Sequence, residues 1–325
     1  MTTIETIWLE LKQEAQNSPI KEGAFRLRRT SEDASLDIYA GIDGSGFALI
    51  AIGLHQRPAS VTLKSSALQC FRRQRADKTW LQVLRLGLRG LESVFGRLCQ
   101  DLLDEALLVQ SEKALEMLFS KRLQSWQKLF ERTDNGLLSI EKIKGMIAEL
   151  SSMEDLIAEG KDSLVSIAGG WMGPIGHDQD FCLPGRNLEI KAVTPTAQEV
   201  SISSLRQLES EPPLFLKILF LQTAPKETPS AINLNKLVSR LEGKLSPDKN
   251  ALKIFRERAL EGGYLELAEY DAFNFLIVER RTYVISDNFP RLTSSMVTEA
   301  ISKACYNIRL ASIEDFLISV SQSDE

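Results

Sequence analysis

Histidine is scarce in this chain. Only His55 and His177 occur among its 325 residues. Sites built from several histidines are therefore excluded, together with most histidine-dependent catalysis. Any metal ion must be bound chiefly by carboxylate oxygens, which favours Mg²⁺ or Mn²⁺.

Cysteine is almost as rare, and its spacing excludes two common kinds of site. The four cysteines form no close pair, which argues against a zinc knuckle or a redox CxxC motif. Free, mostly buried thiols in a reducing cytosol fit this usage, so we expect a cytoplasmic protein. The residues are Cys70, Cys99, Cys182 and Cys305.

Long apolar runs are also missing. None approaches the roughly 20 residues that a membrane helix requires, so we expect no membrane association. The first residues, MTTIETIWLELKQEAQ, place acidic residues among apolar ones at helical spacing and predict a helix, not a signal peptide. With 43% hydrophobic and 26% charged residues, the composition is that of a globular protein.

The chain has no overall excess of positive charge. Its formal net charge of −5 counts against a surface that binds DNA everywhere, although a local basic face would suffice. One segment, 70–100, has such a bias, with two acidic residues against seven basic ones. It is either a solvated face or a DNA contact. The basic residues are Arg72, Arg73, Arg75, Lys78, Arg85, Arg89 and Arg97.

The hydrophobic periodicity predicts three regions. Strand-like alternation with a DGSG hairpin extends to about Gly90 and predicts a β-rich N-terminal domain, 1–90. From Leu91 the spacing becomes helical and predicts a connector over 91–135. The remainder, 136–325, is expected to form the main domain. Within it we predict a short helix from SISSLRQLES, a hairpin from FNFLIVERRTYVISDNFPRL, and a last helix followed by a strand in SSMVTEAISKACYNIRL.

The segment from Trp171 to Leu208 is the most informative. It predicts two short strands joined by a turn at Pro184-Gly185. Glu189 and Lys191 are two residues apart on the second strand, so their side chains share one face. Asp180 returns opposite them on the neighbouring strand.

Two carboxylates and an ammonium group on rigid strands suit metal-assisted phosphodiester hydrolysis. Asp180 and Glu189 would supply hard oxygen ligands for Mg²⁺, and Lys191 would orient the attacking water or stabilise charge on the phosphate. The alternative without a catalytic role is a surface ion pair on an edge strand. Other Glu-x-Lys triplets occur in the chain, but none lies in an apolar strand after a turn-linked Asp.

Neighbouring residues add candidates to this site. Glu149, on the preceding predicted helix, would reach the same metal or would be an ordinary solvated carboxylate. Gln207 would contact the water or a phosphate, or lie on the surface. Asp178 is the rival of Asp180, which we favour because an apolar strand begins directly after it. His177 is expected to be a loop residue.

The order GMIAEL, WMGPIGHDQDF, LEIKAV and ISSLRQL resembles the PD-(D/E)XK nuclease superfamily. More narrowly, it is similar to a bacterial family of PD-(D/E)XK motif proteins, with the resemblance strongest over 140–210. It implies an α/β, restriction-endonuclease-like fold, in which helices flank a mixed sheet beside the β-rich N-terminal domain. It also implies Asp180, Glu189 and Lys191 as the catalytic core, with Glu149 and Gln207 as auxiliary residues and Asp180, Glu189 and Glu149 as metal ligands.

The resemblance implies Mg²⁺-dependent DNA cleavage, with Mn²⁺ able to substitute. Such proteins are often encoded beside ATPases and DNA methyltransferases, which implies a nuclease component of a restriction or phage-defence system, with partner subunits. Self-association is left open. A catalytically inactive structural or DNA-binding subunit and an RNA-directed nuclease are the alternatives. Gln179 stands where the superfamily has proline, a position without a chemical role.

Overall fold

The computed structural model describes residues 3–30, 36–61, 63, 67–132, 137–298, 300–301 and 303–322. It divides the chain into an N-terminal unit, Met1–Leu137, and a C-terminal unit, Leu138–Glu325. The boundary predicted at 135/136 falls among residues 133–136, which lie outside the described residues. The boundary predicted at 90/91 lies inside the N-terminal unit and stays a prediction.

An antiparallel sheet and helices form the N-terminal unit. The sheet order is β1-β2-β3-β5-β4, and the β2–β3 hairpin closes where Asp43 Oδ1 accepts the backbone N–H groups of Ser45 and Phe47. The predicted first helix and β-rich pattern are therefore confirmed. The elements are α1 (Ile4–Asn17), β1 (Phe25–Arg29), β2 (Ile38–Asp43), β3 (Ala48–Leu54), β4 (Leu68–Gln74), β5 (Trp80–Leu86), α2 (Glu92–Ala106) and α3 (Glu112–Arg132).

A mixed sheet with packed helices forms the C-terminal unit. Its order is β12-β10-β9-β7-β6, with β7 and β9 parallel and the other pairs antiparallel, and β8 pairs separately with β11. The elements are α4 (Ile140–Glu159), α5 (Leu164–Gly170), β6 (Phe181–Leu183), β7 (Arg186–Val193), β8 (Glu199–Ile202), β9 (Leu214–Thr223), α6 (Leu234–Leu245), α7 (Lys249–Glu261), β10 (Phe275–Ile285), β11 (Tyr306–Arg309) and β12 (Leu317–Gln322).

This architecture confirms the predicted fold class. Helix α4 packs against β7 and α6, so the central strands are covered by helices on that side. On the other face of the sheet, Leu216, Ile218 and Phe220 of β9 belong to a buried cluster that also includes residues of β8 and β11. A mixed sheet with packed helices in one unit and a β-rich sheet in the other are the elements that the family resemblance implies.

The predicted hairpin in residues 273–292 is wrong. The segment forms a single strand, β10, which runs without a turn between β9 and β12. The charged Glu-Arg-Arg run is accommodated inside the strand because its charges are paired. Arg281 pairs with Glu279 at 2.9 Å, and Arg280 lies 3.5 Å from Asp155.

Two predicted helices are also corrected. SISSLRQLES forms strand β8 and then a 3₁₀ turn, Leu205–Leu208. In the last predicted helix, the described residues show only a 3₁₀ turn, Ser294–Met296. Its apolar candidates Met296 and Ile301 are exposed, so no buried stripe supports a helix there. The following strand, β11, does form.

The cysteines and the helices test two further expectations. All four cysteines are free, as expected, but only Cys99 is fully buried, and Cys305 is exposed. Within the described ranges, no helix is both long and apolar enough to span a membrane.

Candidate active site

The β6–β7 hairpin positions the Asp, Glu and Lys of the sequence motif. Its turn is formed by Pro184 and Gly185, and Gly185 has a φ of 75°, a conformation that glycine adopts without strain. Phe181 pairs with Leu188, so Asp180, one residue before β6, comes opposite Glu189. Asp180 Oδ2 accepts the Ile190 N–H at 2.7 Å, which anchors the carboxylate to β7.

Glu189 and Lys191 share one face of β7, as their spacing predicts. Lys191 Nζ lies 2.8 Å from Glu189 Oε1 and donates a second hydrogen bond to Gln207 Oε1 at 3.2 Å. Gln207 lies in the 3₁₀ turn after β8, and its Oε1 also accepts the Ser203 N–H at 2.7 Å. Gln207 therefore fixes the position of the Lys191 ammonium group.

Glu149 approaches the same place from helix α4. Its Oε2 accepts a 2.7 Å hydrogen bond from the indole N–H of Trp171. Trp171 is fully buried and stacks on Phe255 at 5.8 Å between ring centroids, so its indole is rigidly held. The Glu149 carboxylate of helix α4 therefore belongs to the cluster and is not an ordinary solvated carboxylate.

Gly173 lies between two of the carboxylates. A Cβ atom at this position would be 2.8 Å from both Asp180 Oδ1 and Glu149 Oε2. Asp180 Oδ1 and Glu149 Oε2 are therefore separated by no more than twice 2.8 Å. The Gly173 N–H also donates to the Asp180 backbone oxygen at 3.2 Å. The absence of a side chain at this position allows the two carboxylates to approach each other.

Burial dominates the electrostatics of the cluster. It raises the pKa of Glu189 to about 8, with a further contribution from the Asp180 charge and a partial offset from Lys191. It raises the pKa of Asp180 to about 6, although the Ile190 N–H and Lys191 act in the opposite direction. Burial and Asp180 also raise the pKa of Glu149 well above its usual range. Without further positive charge, the folded protein retains protons here at neutral pH.

Gln179 has a structural role that its sequence position did not suggest. Its side-chain amide donates to the backbone oxygens of Arg206 at 2.7 Å and Glu209 at 2.8 Å. These bonds tie the residue before Asp180 to the turn that carries Gln207. A proline at this position, as in the superfamily motif, would make neither bond.

The two neighbouring candidates lie outside the cluster. Asp178 is half-buried and affects Glu189 only through its charge, as the weakest contributor to the raised pKa. His177 is exposed, and its Nδ1 accepts the Gln179 N–H at 3.3 Å. The structure therefore brings Glu149, Asp180, Glu189, Lys191 and Gln207 together. Sequence reasoning missed Trp171, Gly173 and Gln179, which position them.

The donor set fits a hard divalent cation. Within the described part of the chain, no three acidic, histidine or cysteine side chains are already arranged to enclose a metal ion. Mg²⁺, however, is commonly held by one or two carboxylates with water and substrate phosphate. Glu189 Oε2 is buried without a hydrogen-bond partner. Such an orphaned oxygen is costly to bury, and a cation would satisfy it.

A cavity of about 340 Å³ lies beside the turn that carries Gln207. Its lining combines hydroxyl groups and two basic side chains with apolar residues. This composition suits a small anionic group. The polar lining residues are Ser204, Arg206, Ser294, Thr298 and Lys303.

The mixed sheet, the Glu-x-Lys pair on strand β7 and the Asp that directly precedes β6 are those of a PD-(D/E)XK nuclease-like protein. The chain belongs to the family described as "Putative PD-(D/E)XK family member", whose model matches residues 4–311. The resemblance seen in the sequence is thereby confirmed at the level of the family. No curated protein and no solved structure matches the chain significantly.

Glu189→Gln is expected to change the pH dependence of stability in metal-free protein. The pKa of Glu189 is about 8 in the folded state against an ordinary 4.5, so the folded state binds more protons between these values. The free energy of unfolding of the wild type therefore falls as pH rises through this window. The introduced glutamine does not titrate, so the variant should become more stable relative to wild type as pH rises. Urea denaturation in EDTA from pH 5 to 8 measures this, and parallel curves would contradict it.

Gly173→Ala is expected to weaken Mn²⁺ binding by about 10-fold or more, because the new Cβ displaces the ends of two carboxylates. Gly169→Ala is the matched control, since a Cβ at Gly169 meets nothing within 4 Å. Calorimetric Mn²⁺ titration compares the two variants with wild type. Equal affinities in all three proteins would show that Gly173 does not shape the site.

Proposed function

We propose that this protein hydrolyses DNA phosphodiester bonds in a Mg²⁺-dependent reaction. The observation that carries the proposal is the convergence of Asp180, Glu149 and Glu189 beside a lysine that is itself held by Gln207. Membership of the PD-(D/E)XK family supports the nuclease assignment. Asp180 and Glu189, with Glu149 beside them, are the proposed metal ligands.

Mg²⁺ would supply charge neutralisation at the phosphate and acidify the attacking water. Each protein group has a separate task in this scheme. The Asp180 carboxylate is already oriented by the Ile190 N–H, and Glu149 by the Trp171 indole. Both therefore need little reorganisation to present their oxygens to the cation.

Lys191 is the residue proposed to act on the reacting groups. Its ammonium group has three N–H donors, of which the structure directs one to Glu189 and one to Gln207. A third donor remains for the attacking water or a phosphate oxygen. Because Gln207 is fixed by the Ser203 N–H, the ammonium group is prepositioned where charge develops.

The proposal includes a biological setting and partners. We place the protein as the nuclease component of a restriction or phage-defence system, acting with an ATPase or methyltransferase subunit. One support is the setting that the family resemblance implies. The other is the net charge of −5, because an acidic protein would benefit from partner subunits that bind DNA. Phage plating on cells that express the wild type or Lys191→Ala tests this role. Equal plating efficiency on both would count against it.

Lys191→Ala and Asp180→Asn are each expected to reduce Mg²⁺-dependent plasmid cleavage by at least about 100-fold. Lys217→Ala is the matched control. Lys217 lies on the neighbouring strand β9 and pairs with Asp155 at 2.6 Å, so it is a half-buried, paired lysine outside the cluster. Plasmid nicking and linearisation are measured with Mg²⁺, Mn²⁺ and EDTA, and circular dichroism verifies folding.

The same assay separates the alternatives. Activity that persists in both site variants would overturn the assignment of the site. No cleavage and no Mg²⁺ or Mn²⁺ binding at millimolar concentration would instead favour a structural or DNA-binding subunit. Parallel reactions with linear duplex, single-stranded DNA and RNA define the substrate, and a preference for RNA would contradict the DNA assignment.

A further inference from the structure

One face of the N-terminal sheet carries an apolar cluster edged by aromatic rings. Leu49, Ala51, Leu81 and Val83 are buried at its centre. Around them lie half-buried side chains from three strands, and Phe25 and Phe71 are 5.7 Å apart between ring centroids. The surrounding residues are Phe25, Leu27, Tyr39 and Phe71.

Arginine side chains lie over the rings of this face. Arg73 is 5.0 Å from the centroid of Phe25, and Arg75 is 4.8 Å from that of Tyr39. Phe47 precedes Leu49 by two residues and so shares its face. Its ring is contacted by two more arginines, Arg85 at 4.5 Å and Arg89 at 5.2 Å. We call this set, Arg73, Arg75, Arg85 and Arg89 with their rings, the arginine face.

The basic residues of the segment 70–100 do not all lie on the same face of the sheet. Arg72 is on the opposite face of β4 and donates to the Pro58 backbone oxygen at 2.8 Å. Lys78 lies in the β4–β5 turn, and Arg97 belongs to helix α2. The four arginines that remain are those of the arginine face, so the basic bias of the sequence becomes a local surface feature.

Positive charge on the arginine face is only partly compensated. Arg85 pairs with Asp43 at 2.6 Å, and Arg75 lies 3.6 Å from Asp37. Arg73 and Arg89 are exposed, and among the described residues neither makes an ion pair. They donate instead to the backbone oxygens of Gly23 and Ser45.

Stacking prepares these guanidinium groups to bind phosphate. A guanidinium that lies on a ring has its plane fixed, while its N–H donors point outward along the edges. Less side-chain entropy is lost when such a group makes a bidentate contact with a phosphate. A chain with a net charge of −5 repels a polyanion over much of its surface, so binding requires a local face of this kind.

We propose that the arginine face binds the sugar–phosphate backbone of duplex DNA without reading its sequence. This inference rests on the proposed function, because it takes the nuclease substrate as the ligand. It adds to that function a binding surface on the N-terminal unit, separate in sequence from the carboxylate cluster. Arg73 and Arg89 are the principal phosphate contacts, since they lack carboxylate partners among the described residues.

The test compares Arg73→Gln/Arg89→Gln with Arg72→Gln. Arg72 is the matched control because it is adjacent in the same strand and faces away. Duplex binding is measured by fluorescence anisotropy in EDTA over a series of salt concentrations. Each lost phosphate contact reduces the slope of log K against log[salt] by about 0.9. We therefore expect the slope of the double variant to fall by nearly 2, with affinity at least about 10-fold weaker, and Arg72→Gln to match wild type.

The result separates this inference from the proposed function. Unchanged affinity and slope in the double variant would overturn the proposal that the arginine face binds DNA, even if Lys191→Ala abolishes cleavage. Loss of binding in the double variant, with wild-type binding by Arg72→Gln, supports the face even if no protein cleaves DNA. Equal competition by poly-glutamate would overturn the choice of DNA over an acidic protein.

Discussion

The structure of the candidate site depends on an excess of buried negative charge. Glu149, Asp180 and Glu189 are brought together with one ammonium group, that of Lys191. Burying carboxylates without compensation is costly, and the protein responds by raising their pKa values, to about 8 for Glu189. The ionised form of these carboxylates is unfavourable without a cation, and a bound cation would stabilise it. In the proposed reaction, the same imbalance that weakens the metal-free fold would supply affinity for a hard metal ion.

The surrounding scaffold holds the carboxylates in place in spite of this repulsion. Asp180 is tied to β7 through the Ile190 N–H, and Glu149 to the buried Trp171. Gly173 leaves the space between them empty of side chain. Gln179 joins the approach to Asp180 with the turn that bears Gln207. These contacts belong to segments adjacent in sequence, which explains why so much of the site lies within one short stretch of the chain.

Local patterns predicted most of the fold and the core of the site. The two-residue spacing of Glu189 and Lys191, after a Pro-Gly turn, was sufficient to place both on one strand face. The errors arose where distant partners decide the outcome. The residues of strand β10 have the pattern of a hairpin, but the strand pairs with β9 on one side and with β12, from the end of the chain, on the other. The expected helix near Met296 had the right spacing, but nothing buries its apolar residues. The role of Gln179 depends on the backbone of Arg206, which no local pattern reveals.

The most direct test of the account is an anomalous-difference map from crystals soaked in Mn²⁺. The account predicts a peak bound by the carboxylates of Asp180 and Glu189, through the Glu189 Oε2 atom that lacks a partner, with the Lys191 ammonium group still held by Gln207. The expected ligand distances are those of oxygen to a small divalent cation, about 2.1 Å. No peak at the cluster in crystals soaked at a saturating Mn²⁺ concentration would contradict the claim that this cluster is built to bind metal.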